Sequence, residues 1–108
     1  MKIKHLCEAE NIRLIVTLLP SKIDVNPAFR NYVQELHHLD DETINTNAHL
    51  SNALSNWLNE ENIEYLNLQP ALERATEKVF WDQDLHINTN AHSIIGKLLY
   101  KNISPLSH

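Results

Sequence analysis

Glycine is nearly absent: of 108 residues only Gly96 is one. Phosphate-cradling loops of the dinucleotide and Walker types need several glycines close together, so nucleotide cofactors held in those ways are excluded. Cys7 is the single cysteine, which excludes an internal disulfide; its plain reading is a small buried hydrophobe on a helix. Basic residues are few, nine Lys and Arg against fourteen Asp and Glu, for a net charge of -5. They are also scattered, and affinity for phosphate backbones comes from clustered Lys and Arg, so no nucleic-acid partner is expected. No apolar run is long enough to span a bilayer. The start, "MKIKHLCEAENIRLIV", is broken by His5, Glu8, Glu10 and Arg13, so neither membrane attachment nor a signal peptide is expected. The compartment stays open.

What is present is the composition of a soluble globular chain, 43% hydrophobic and 21% charged. Its length allows a single domain, residues 1–108, with a modest core. Lys2 to Asn11 reads as a helix. "IRLIVTLLP" runs almost without polar interruption from Ile12 to Pro20, which predicts a strand buried on both faces, as in parallel sheets covered by helices. Pro27 suits a helix start, and Phe29, Tyr32, Val33 and Leu36 form its apolar stripe through Leu39. A polar loop, "DDETINTN", should follow, then a helix from Ala48 to Glu60 with Leu50, Ala53, Leu54, Trp57 and Leu58 inward, capped by Thr46 or Asn47. Ile63 to Leu68 alternates as a second strand. Ala71 to Lys78 reads as a short helix and Val79 to Ile87 as a loop. A last helix, capped by Asn88 or Asn90, runs to Ile103 with Ile94, Ile95, Leu98 and Leu99 inward, ahead of a frayed tail at 104–108.

Helices alternating with strands indicate an α/β layered fold. Two strands make a small sheet with both edges unpaired, which implies a larger unit or self-association.

The hexapeptide "INTNAH" occurs twice, at Ile44 to His49 and at Ile87 to His92. Asn-Thr-Asn is good helix-capping chemistry, and both copies precede amphipathic helices. Aligning the copies places Asp41 on Asp84 but Thr43 on His86, so capping leaves the histidine unexplained. An Asp beside a His is the orienter-and-base pair of triad hydrolases, in which the carboxylate fixes the tautomer and the ring takes a proton from a serine. The plain alternative is a solvated acidic turn. For metal binding, His37 and His38 diverge on a helix and no H-x-x-x-H or paired-cysteine spacing occurs, so no metal site is expected.

Three segments extend the pair: Pro20-Ser21-Lys22 after the first strand, Asn67-Leu68-Gln69-Pro70 after the second, and Asp84-Leu85-His86-Ile87-Asn88 through His92 before the last helix. Together they resemble the C-terminal half of the SGNH (GDSL-type) hydrolase family. The resemblance implies a partial three-layer parallel-sheet fold, SGNH/flavodoxin-like, with few strands and several helices. It also implies that Asp84 and His86 match the family's catalytic Asp and His, with Asp82 as the other carboxylate to weigh, and that no cofactor is needed. The family's Gly-Asp-Ser nucleophile block, oxyanion-hole glycine and Gly-x-Asn-Asp segment have no counterpart here. Ser21 could share the sheet's carboxyl edge with His86, so a Ser21, His86, Asp84 triad is the remaining arrangement.

The expected function is a truncated or split SGNH-hydrolase-like domain that keeps the Asp-His part of a serine esterase or acyl-transfer site and is inactive alone. Its partners would be a second copy or a missing N-terminal half. The alternative is a non-enzymatic interaction module that self-associates or binds a partner through its sheet edge.

Overall fold

The computed structural model describes residues 1–104. The order is α1 (Lys2–Ala9), β1 (Ile15–Leu18), α2 (Lys22–Val25), α3 (Pro27–His37), α4 (Asp41–Ile44), α5 (Thr46–Glu60), β2 (Glu64–Asn67), α6 (Gln69–Glu73) and α7 (Thr89–Ile103). β1 and β2 pair in parallel, Ile15 with Glu64 through Leu18 with Asn67. The fold is therefore mixed α/β, mostly helical, around a two-stranded parallel sheet. The tail expected at 105–108 lies outside the described residues.

β1 is shorter than the apolar run. Asn11 ends α1 in the left-handed region at φ 59, and the Ile12 amide turns back to the Cys7 carbonyl at 2.7 Å. His38 at φ 52 and Asn62 at φ 56 end α3 and α5 in the same way. Asn tolerates this conformation better than most residues, and the only glycine, Gly96, sits inside α7. β1 is not buried on both faces as expected: Thr17 is exposed and its neighbours are half-buried, because α5 packs on β2 while no helix packs as extensively on β1. Arg13, just before β1, clamps Glu64 at the start of β2 with two bonds of 2.8 and 2.7 Å.

The acidic stretch expected to be a loop forms α4. The Asp40 carboxylate accepts the Thr43 amide at 2.7 Å; hydrogen bonding from Thr43, its hydroxyl first and its amide second, holds the Asp40 pKa below the ordinary aspartate range, and Asp41 and Glu42 suit the positive end of the helix. α6 is shorter than expected and ends at Glu73. Beyond it the chain is fixed from the far side, since the Lys78 carbonyl accepts from Asn88 Nδ2 at 2.8 Å and Asn90 Nδ2 at 3.3 Å. The expected loop at 79–87 contains an antiparallel bridge between Phe80 and Ile87.

The two "INTNAH" copies do different work. Asn88 is extended and its side chain accepts the Ala91 amide at 3.0 Å, capping α7. Asn45 joins α4 to α5 with near-helical backbone and makes no capping bond. The residues ahead decide: Asp40 already starts a helix that runs into the first copy, whereas Ile87 is held in the bridge to Phe80. Asn88→Ala should therefore cost about 1 kcal/mol, and Asn45→Ala only a few tenths, in thermal melts of the two variants.

The core is small. Leu72, Val79, Phe80 and Ala91 form its main cluster, with Val25, Ala75, Ile87, Ile94 and Ile95 packed around it. Ile44, Leu58, Ile63 and Leu68 are also buried. Of the apolar faces expected to point inward, Tyr32, Leu36, Leu50, Ala53, Leu54 and Trp57 are exposed. The molecule is elongated, 49 × 28 × 19 Å.

Candidate functional site

Asp84 and His86 sit in the 81–86 loop that links the two halves of the Phe80–Ile87 bridge. The Trp81 amide donates to the His86 carbonyl at 3.1 Å, and the Asn88 amide to the Val79 carbonyl at 2.9 Å. Neighbouring residues of a ladder point to opposite faces. Phe80 and Ile87 face the core cluster, so Trp81 and His86, opposite one another, leave on the outer face. This alternation is why the His86 ring is 86% exposed while Phe80, six residues earlier, is buried.

The rung between Trp81 and His86 is only half made. An antiparallel pair of this kind exchanges two bonds, but the His86 amide donates instead to Asp84 Oδ1 at 2.8 Å, and the Trp81 carbonyl accepts from Lys22 Nζ at 2.9 Å. The same Asp84 Oδ1 lies 3.4 Å from His86 Nδ1. That distance is within ion-pair reach and longer than a well-formed hydrogen bond. The arrangement is an Asx-turn in which one oxygen serves both the backbone amide and the ring.

Lys22 anchors the loop. It begins α2, just past the carboxyl end of β1, and is the one buried charged side chain among the described residues, at 7% exposure. Nζ donates to the carbonyls of Trp81 and, at 3.3 Å, Asp84, and lies 4.6 Å from the centre of the Phe29 ring. A buried ammonium is tolerated only when its hydrogen bonds are made, and here two carbonyls and an aromatic face contact it, with the Asp82 charge near enough to act on it. Through this contact the candidate pair is held at the carboxyl end of β1, where α/β folds place their sites.

Asp82 is turned elsewhere. Its carboxylate accepts from Lys78 at 2.8 Å; that bond first, and the Lys78 charge second, hold its pKa below the ordinary range. Of the two carboxylates weighed from the sequence, Asp84 is the one beside His86. Ser21 caps α2: its hydroxyl donates to Asp24 Oδ2 at 2.9 Å and accepts the Asp24 amide at 3.3 Å. That hydroxyl is occupied at its own helix start. A cleft of about 220 Å³, lined by Lys22, Val25, Leu72, Val79, Phe80 and Asp82 among others, lies under the loop's base, and Asp84 and His86 do not line it. Among the described residues no cluster of His, Cys, Asp and Glu could hold a metal, and no helix is long and apolar enough to cross a membrane.

Lys22 and Trp81 are the site features that the sequence did not reveal. Lys22 stands in an ordinary Pro-Ser-Lys turn, and nothing local distinguishes it from a surface lysine. Trp81 was legible only once its bridge partner was known. No protein-family model, curated protein or solved structure matches the chain.

Proposed function

We propose that this chain is the acid-base half of a serine ester hydrolase or acyltransferase of the SGNH-like type, inert alone and completed by a polypeptide that supplies the nucleophile and the neighbouring strands. The observation that carries this reading is the exposed His86 ring with Asp84 Oδ1 3.4 Å from Nδ1, on a loop anchored to the carboxyl end of β1. In the complete site the partner's serine attacks an ester carbonyl, His86 takes the hydroxyl proton through Nε2, and Asp84 keeps Nδ1 protonated. The ring then returns the proton to the departing alkoxide, leaving an acyl-serine for water or an acceptor alcohol. In that unit β1 and β2 become part of a wider, helix-covered parallel sheet of three layers.

A second reading, a non-enzymatic module that self-associates or binds a partner through its sheet edge, is favoured by the uncovered apolar faces of α3 and α5. The coding DNA upstream of Met1 separates the two. The hydrolase reading expects a Gly-Asp-Ser block there, in frame or frame-shifted. Co-expression of that half should give turnover of short acyl esters that His86→Ala lowers roughly 100-fold or more, while the chain alone stays at background. An upstream region without such a block, or turnover indifferent to His86, favours the module.

A further inference from the structure

The geometry points to Lys22 as the positioning residue of the Asp84–His86 pair, setting the histidine's tautomer by holding the Asp84 carbonyl, 62 residues away along the chain. This rests on the proposed role of the pair and adds the element that places it. Beyond the bridge at Phe80 and Ile87, four bonds hold the loop: Lys22 Nζ to the Trp81 and Asp84 carbonyls, the His86 amide to Asp84 Oδ1, and Lys78 Nζ to Asp82 Oδ1. The first two come from one buried ammonium. The Trp81 carbonyl accepts from Lys22, and the His86 amide that would face it donates to Asp84 Oδ1. That Asx-turn is also what brings Oδ1 to Nδ1. The side chains of the pair are largely exposed, so packing does not hold them in place; the backbone beneath them must. Neutral imidazole takes the tautomer that its neighbour's hydrogen bond selects; Oδ1 stands 3.4 Å from Nδ1, and a small closure of that gap into a hydrogen bond keeps the proton on Nδ1 and leaves Nε2 as the acceptor a base requires.

The test reads the pair itself in the full chain by NMR, with no turnover measured, so it can fail while the hydrolase reading stands, and the reverse. In the wild type, His86 should populate mainly the Nδ1–H form. In Lys22→Met, which keeps the length and burial but has no donor, the ring should revert to the Nε2–H form usual for a free histidine, and the His86 amide should exchange about tenfold faster or more. The Asn88 amide and the β1 amides should keep their protection, as the check that the fold survives. Lys22→Arg should restore most of the wild-type signature, and Asp84→Ala should reproduce the Lys22→Met tautomer with Lys22 intact. A folded Lys22→Met protein with unchanged His86 tautomer and amide exchange overturns the assignment. If Lys22→Met does not fold, the wild type decides. An ammonium bonded to two carbonyls in a buried site exchanges its protons slowly enough to be observed near neutral pH, so a Lys22 signal lost as fast as those of Lys97 and Lys101 overturns the assignment too.

Discussion

Leu72→Ala is expected to destabilise the protein by roughly 2–5 kcal/mol, a large part of what a domain of this size possesses. Leu72 is 2% exposed and belongs to the cluster with Val79, Phe80 and Ala91. It lies where α6, the Phe80–Ile87 bridge and the first turn of α7 converge. Removing its side chain leaves a cavity beneath the strand that carries the 81–86 loop, with little surrounding core to collapse into it. Each kcal/mol corresponds to a fall in melting temperature of about 4–8 °C in a domain near this size, so the midpoint should drop by about 8 °C or more. Leu50→Ala and Leu85→Ala, at sites 63% and 65% exposed, should stay within about 0.5 kcal/mol of wild type in dilute monomer. Equal losses at Leu72 and Leu85 would mean that the core lies elsewhere.

The second large effect is concentration. A compact protein of 12.5 kDa exposes about 6,200 Å² and has a radius of gyration near 13 Å. This chain exposes 7879 Å² with a radius of gyration of 16.3 Å. The excess, about 1,700 Å², is more than the roughly 800 Å² that each partner gives to a standard interface. The exposed surface includes apolar side chains, Tyr32 and Leu36 of α3 and Leu50 and Leu54 of α5, and among the described residues each strand pairs along one edge only. Light scattering at tens of micromolar should therefore return at least twice the chain mass, and the melting temperature should rise with concentration, because association stabilises the folded state by mass action. A single mass of 12.5 kDa and a fixed midpoint over a hundredfold range of concentration would show that the chain needs no cover.

Periodicity located these faces and could not say whether anything covers them. The stripe through Phe29, Tyr32, Val33 and Leu36 reads as inward on any amphipathic helix, yet only part of it finds a neighbour here. Local chemistry was legible where it is complete within a few residues: Pro27 at a helix start and Asn88, one of two candidates, as a cap; the two strands were legible as elements, but not the shortness or exposure of the first. It was not legible where a partner comes from afar. The acidic run from Asp40 is the exception, a helix start that is local, Asp40 accepting the Thr43 amide three residues on, and that still reads as a loop. "VFW" and "DLHI" show no strand alternation until Phe80 is set against Ile87. The D-x-H pair was visible as residue types, and its seat was not, because Lys22 recognises carbonyl groups, which every residue carries.

The contact between Lys22 and the Trp81 carbonyl, 59 residues apart, also sets an order of assembly. Closing a short hairpin such as 79–88 takes microseconds, whereas joining distant segments must first overcome the entropy of a long loop. The turn that presents His86 can form while the chain is still open, and it becomes fixed only when β1 and β2 meet and bring α2 beneath it. The geometry of the pair is thus among the last features to mature, and it tracks the pairing of Ile15 with Glu64 more closely than the closure of its own turn.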